Sequence, residues 1–303
     1  MKQRISIICT IVMMVLLVVG CGPKQLETTG ATHQVTDGTG TVVTVPTEPK
    51  HIVPIAASTE DIVLSLVDPS RVAAVGTVPN NVPDASAKVE KHVKASAESM
   101  LSVQPDLVLV PNWMSPDAIG EMHNMQIPVY VYKTPTTVQE AKATIHEIAG
   151  LLHASDESMI ASMDADLKTV EELVNKHSGE RLLVAFYSQF GLTGGKGSTF
   201  DDMCTYLKVN NAAAQIGLGP FDNGTREDLI KSNPDIIFIP SVAYTSDGTT
   251  PATAEQLYSD PALQGVKAIA NRRVYLVDSS QVMSYSQFMT RAMVSMAQNI
   301  YSM

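Results

Sequence analysis

The chain holds one tryptophan, Trp113, in a segment bounded by Pro111 and Pro116. An indole plane in such a loop suits the flat face of a macrocycle or a metal chelate. Tyr187, Tyr244 and Tyr285 also fall in or beside loops after short apolar runs, where a phenol can both stack and hydrogen-bond. Met114, Met283, Tyr244 and Tyr285 add thioether and phenolate groups, which can ligate haem iron axially. Most of the 15 methionines lie at helical core spacing or in the apolar N-terminal stretch, so packing is the leading account of methionine here and haem ligation is a minority option. Phe221 and Arg226 precede a second helix start, and Arg226 could pair with a ligand carboxylate or stand as an exposed helix-start residue. A packing role is the alternative for Trp113 and for each tyrosine.

Other chemistries lack their residues. The seven histidines lie at the N-terminal tether, before a strand, or on and beside helices, and none falls in a strand-end loop where a free metal ion would be gathered. Neither Gly-x-Ser-x-Gly nor His-Glu-x-x-His occurs, which leaves the chain without a hydrolase motif and favours a protein that is not an enzyme. Gly191-Leu-Thr-Gly-Gly-Lys-Gly-Ser-Thr199 resembles a phosphate loop only superficially: Phe190 replaces its first glycine and Gly197 follows the lysine. A flexible rim loop fits that segment better.

The elements that must position these side chains are written twice. Glu98-Ser-Met-Leu-Ser-Val-Gln-Pro-Asp106-Leu-Val-Leu-Val-Pro111 is echoed by Glu227-Asp-Leu-Ile-Lys-Ser-Asn-Pro-Asp235-Ile-Ile-Phe-Ile-Pro240. Each copy predicts a helical turn, a Pro-Asp turn and a buried strand of a parallel sheet closed by proline. Such sheets bind ligands beyond the carboxyl ends of their strands, so two copies predict two lobes with facing sets of loops. Further strands are expected at 52–56, 71–75, 128–132, 181–188 and 273–278, and a hairpin at 34–45 around Asp37-Gly38. Helices are expected from a Ser58 cap, from Ser115-Pro116 with Ile119, Met122 and Met125 on one face, and from a Thr137-Val-Gln-Glu140 capping box. A long amphipathic helix from a Ser155 cap to about Lys176 is long enough to join the lobes alone, and another runs from Phe288 to Tyr301.

The N-terminus predicts export. Met1-Lys-Gln-Arg4 is basic and the following stretch to Gly20 is apolar or small, as in a secretory signal. Val18-Val-Gly-Cys21 resembles the lipobox of bacterial lipoproteins, which would make lipidated Cys21 the first mature residue on a polar tether to residue 33. Cys9 lies in the signal, so Cys204 alone remains and no internal disulfide or cysteine metal site is expected. A hydrophobic content of 45% supplies an ample core, and a net charge of -10 disfavours nucleic acid.

Several of these segments together resemble the iron-siderophore and vitamin B12 class of ABC-transporter substrate-binding proteins. They are the Val35–Val45 hairpin, Pro49-Lys-His-Ile-Val-Pro-Ile55 with Ser58-Thr-Glu60, both Pro-Asp strands, Lys196-Gly-Ser-Thr-Phe-Asp-Asp-Met203 and Val209-Asn-Asn-Ala-Ala213. The resemblance implies two Rossmann-like α/β lobes joined by a single long rigid helix, with a metal chelate in the cleft between them. In residue terms this is a signal at 1–20, a tether at 21–33, lobes at 34–154 and 179–303, and the joining helix at 155–178. It also implies a lipid-anchored monomer on the extracytoplasmic face that delivers its ligand to a BtuC-like permease with its ATPase. An acidic residue on each lobe would dock against permease arginines, and Glu121 and Glu255 occupy the matching positions. Ferric tris-catecholates would call for several cations, whereas only Lys133, Lys196 and Arg226 are near the loops, so a corrinoid or a hydroxamate siderophore is preferred. A haem importer is the alternative, followed by a free-metal or purely structural lipoprotein.

Overall fold

A computed structural model describes residues 31–76, 81–241 and 252–301. The signal, Cys21 and Tyr244 lie outside the described residues. The duplicated Pro-Asp segment forms the same structure both times. Ser96 caps the helix Ala97–Val103, Gln104 ends it in the left-handed region, and strand β4 (Leu107–Pro111) follows, wholly buried. Thr225 caps Arg226–Ser232, Asn233 ends it in the left-handed region, and the wholly buried strand β9 (Ile236–Pro240) follows.

The aspartate of each copy fastens the start of a neighbouring strand. Asp106 accepts from the backbone N–H groups of Lys50 (2.7 Å) and His51 (2.9 Å), directly before β3 (Ile52–Pro54). Asp235 accepts from Leu183 N (2.8 Å), the first residue of β6 (Leu183–Ser188). A carboxylate that takes strand N–H bonds at the sheet edge satisfies donors the ladder leaves over, which accounts for aspartate at both turns.

These strands build two parallel sheets. In the first, β3, β4 and β5 (Val129–Tyr132) run in that order. In the second the order is β10 (Val274–Val277), β9, β6, β7 (Gly191–Thr193), with the short β8 (Asn210–Asn211) also paired to β6; only β7 is antiparallel. The hairpin of β1 (Thr32–Thr36) and β2 (Val42–Pro46) is antiparallel and docks on β5, where Gly38 N donates to Val131 O at 2.6 Å. Helices cover the sheets, and a continuous apolar core runs from Val43 and Val45 through Tyr132 and Met163 to Met293 and Ile300.

The chain passes between the sheets through the helix Glu157–Asn175, 19 residues or about 28 Å long. Its buried Met159, Met163, Val170 and Val174 pack in the same core as the C-terminal helix Met289–Tyr301, and Thr290 Oγ1 donates to Asp166 at 2.8 Å. This helix is not the sole tie. The helix Ala57–Leu66 also meets the 279–287 segment through hydroxyls and amides, described below.

Four local expectations require correction. Residues 71–75 form no strand: the Asp68 cap and Pro69 wind Pro69–Arg71 into a 3-10 turn, and only the bridges Ile52–Val72 and Val75–His92 follow. Ser58 lies inside the helix, and its hydroxyl is used across the molecule. Thr137 caps Glu140 N, but the Glu140 carboxylate bonds Thr136 N (2.8 Å) and so does not complete the predicted box. Pro116 opens its helix without a Ser115 side-chain bond, and Met125 is exposed while Met122 is buried.

Candidate ligand site at the strand ends

Beyond β4 the loop is fixed from its neighbour strand. Asn112 N donates to Tyr132 O (3.0 Å), and Asn112 Oδ1 accepts from Thr134 N (3.0 Å). This holds Trp113 out from the sheet with 58% of its surface exposed. Its Nε1 donates to the phenol oxygen of Tyr285 at 3.1 Å, so an aromatic from the first sheet's loop touches one from the segment after β10.

Tyr285 is itself held from the first sheet. Its backbone N donates to Ser58 Oγ (3.3 Å), and its ring centroid lies 6.5 Å from that of Tyr132. Thr59 Oγ1 gives its one proton to Ile55 O (2.6 Å) and therefore accepts from the Tyr132 hydroxyl (2.7 Å). Burial, and then the neighbouring Tyr285, push the Tyr132 phenol well above the usual tyrosine range. Burial also raises Tyr285, against the opposing bonds of Trp113, Tyr132 and Ser58. Both phenols stay neutral at physiological pH, as hydrogen-bonding groups.

Beneath them runs a polar seam. The buried Asp61 accepts from Asn81 N (2.6 Å), Asn81 Nδ2 (2.8 Å) and Ser286 Oγ (3.1 Å). Gln287 Nε2 donates to Asp61 O and Ser65 Oγ, and Asn81 exchanges bonds with Ser280. Burial raises the Asp61 carboxyl to about 6; the bonds from Asn81 and Ser286 oppose the shift, and the charge of Asp278 adds to it.

In the second sheet, Ser188 and Gly191 pair across the β6–β7 turn, leaving Gln189 and Phe190 at its tip. Gly191 has φ +97, and a Cβ there would stand 2.2 Å from Gly224 O, so only glycine lets the 224 loop approach. Phe190 and Phe221, carried on these adjoining loops, are 45% and 86% exposed. Tyr187 is half-buried; burial raises its phenol and Arg226 opposes that shift. Arg226 is engaged with Asp260 (Nη1 to Oδ2, 2.9 Å).

Residues 52–281 match the family described as periplasmic binding protein. The chain belongs to that family. It is 26% identical over 321 residues to the ABC transporter substrate-binding lipoprotein YvrC of Bacillus subtilis (strain 168), with 99% of this chain and 98% of that protein covered. It is 22% identical over 270 residues to a cobalamin-binding protein of Halobacterium salinarum, covering 86% of this chain and 72% of that one. The periplasmic heme-binding protein RhuT from Roseiflexus sp. RS-1 superposes with a TM-score of 0.70 at 19% identity, covering 84% of this chain and 98% of that one, a likeness of fold.

Within this family architecture the expected site residues part company. Trp113 and Tyr285 meet, and Phe221 is presented to solvent. Met114, 6% exposed, packs in the core under its loop, and Met283 is partly buried against the main core. The loop turns over at Met114, whose N donates to Pro111 O, and this sends the thioether inward. Glu121 and Glu255 are both exposed on their helices. Among the described residues no three His, Cys, Asp or Glu side chains gather as a metal site. Gln189, Phe190 and Asp61 carry no site signal in the sequence: the first two form the turn before Gly191–Thr193, which is a strand where a flexible rim loop is expected, and Asp61 resembles an ordinary first-turn acid.

Proposed function

We propose that this chain is the extracytoplasmic substrate-binding lipoprotein of an ABC importer, held to the membrane by lipid on Cys21. It captures a metal chelate between its two sheets and hands it to a BtuC-like permease with its ATPase, as a carrier and not an enzyme. The Trp113–Tyr285 contact carries this reading, because it brings an exposed indole and a neutral phenol together from loops of both sheets. Exposed Phe190 and Phe221 and half-buried Tyr187 are assigned to the apolar rim on the second side, Tyr244 is assigned to it from the sequence alone, and Met114 packs in the core of the first sheet. The lobes at 34–154 and 179–303, with the helix between them limiting closure, follow from the same proposal. Exposed Glu121 and Glu255 serve as the docking pair.

The charges favour a ligand with little net negative charge. Lys133 is paired with Glu140 (3.2 Å) and Arg226 with Asp260 (2.9 Å), so two of the nearest cations already answer protein carboxylates. A cobalamin-type corrinoid, as in the name of the Halobacterium relative, or a hydroxamate siderophore meets that condition. Haem is the second choice, supported by the fold shared with RhuT, while the raised, neutral phenol of Tyr285 speaks against phenolate ligation of its iron.

Titration of the mature chain with cobalamin, a ferric hydroxamate and haem, followed by the emission of Trp113 and by calorimetry, tests the proposal. One chelate should quench the only indole, and Trp113→Ala should weaken that chelate by about tenfold or more. A chain that takes up none of the three is not a chelate carrier.

A further inference from the structure

Gln189 is the first residue beyond β6, at the tip of the two-residue turn into β7. Its backbone is well placed by neighbours: Phe190 N donates to Ser188 Oγ (3.1 Å), as does Thr193 Oγ1 (3.4 Å). Its side chain is not. Both the Nε2 and the Oε1 of its amide are shut from solvent, and neither has a hydrogen-bond partner. A carboxamide can fill four hydrogen bonds, and burying one with none is unfavourable compared with an apolar side chain of the same size. The residue as a whole keeps part of its surface exposed, and a ligand contact requires its side-chain torsions to turn the amide toward the strand-end face.

Other side chains at the strand ends share this state. Thr134 Oγ1, two residues beyond β5, and Ser279 Oγ, two beyond β10, are likewise buried without partners. Three unpartnered polar side chains thus lie just past the carboxyl ends of parallel strands from both sheets, the edge where such sheets receive ligands. Of the three, only Gln189 offers a donor and an acceptor side by side.

We propose that Gln189 is the specificity-determining residue for a neutral carboxamide of the ligand, a peripheral amide of a corrinoid, paired head to tail with the glutamine amide. The proposal rests on the chelate-carrier reading above and narrows it. A corrinoid presents primary amides around its ring, whereas haem presents carboxylates, which accept hydrogen bonds but donate none at neutral pH. An amide pair uses both Gln189 atoms; a carboxylate leaves Oε1 facing an acceptor.

The test compares wild type, Gln189→Leu and Gln189→Met on the full mature chain. Cobalamin, a corrinoid whose side-chain amides are hydrolysed to carboxylates, and haem are titrated by calorimetry, and melting of the unliganded proteins is followed in parallel. Both variants should bind cobalamin about tenfold more weakly and should lose most of the preference for amide over carboxylate corrinoid. Their unliganded melting temperatures should hold or rise by about 2–4 °C, since an unpartnered buried amide is removed. A fall in melting temperature in both variants would show a structural role and overturn the assignment, as would unchanged cobalamin affinity. A wild type that binds haem or a ferric hydroxamate but no corrinoid overturns it while the carrier reading stands; one that binds no chelate overturns both.

Discussion

The indole nitrogen of Trp113 and the phenol oxygen of Tyr285 are hydrogen-bonded at 3.1 Å although 172 residues separate them in the chain. Each is held by its own sheet's loop, and Tyr285 is braced a second time by Ser58 on the helix Ala57–Leu66. On the chelate-carrier proposal a ligand between the sheets would displace or lie against this pair, which would make the contact a reporter on binding.

Tyr285→Phe removes the acceptor and leaves the Trp113 nitrogen to water. Because the indole is exposed, stability should fall by no more than about 1 kcal/mol in urea. The emission maximum of Trp113 should shift toward that of a hydrated indole. An unchanged spectrum would mean that the bond does not persist in solution.

Asp61 sets a pH dependence whose sign is fixed by its raised pKa. In the folded chain burial raises the carboxyl to about 6 from its ordinary value of 3.8, so the native state holds the proton more tightly than the unfolded one. Its contribution to stability is fully present below pH 3.8 and is lost as pH rises through 6. Relative to Asp61→Asn, wild type should gain on the order of 2–3 kcal/mol between pH 7 and pH 4. Urea unfolding of both proteins across that window measures the difference; parallel stability curves would remove Asp61 as its source.

Gly38→Ala should loosen the N-terminal hairpin. A Cβ at this position would lie 2.7 Å from Lys133 N and 2.9 Å from Val131 O, both backbone atoms that cannot swing aside. The hairpin would lift from β5, with a loss of about 1–3 kcal/mol in denaturant unfolding and early hydrogen exchange at Gly38 and Val131.

The two Pro-Asp staples should act alike and independently. Asp106→Ala releases the N–H groups of Lys50 and His51, and Asp235→Ala releases Leu183 N together with the Lys267 ion pair at 3.3 Å. Each should cost about 1–3 kcal/mol. Because they serve different sheets and share no partner, the double variant should equal the sum to within about 0.5 kcal/mol.

Both Pro-Asp units with their helical turns, the buried strands and the placing of Trp113 beyond β4 are properties of short stretches. Residues a few positions apart settle turn chemistry, strand burial and helix limits, so those features are legible in the sequence of any one segment. The same local signals misplace what depends on a distant partner. Ser58 looks like a helix cap and instead reaches Ser284 and Tyr285; Met114 looks like a ligand contact and instead turns into the core. Asp61, Asn81 and Ser286 give no sign in the chain that they will meet. The Ser286–Asp61 bond forms only when the two sheets built from separate halves come together, because the packing of one half against the other, and not the neighbours in sequence, decides which polar groups lose water and with whom they pair.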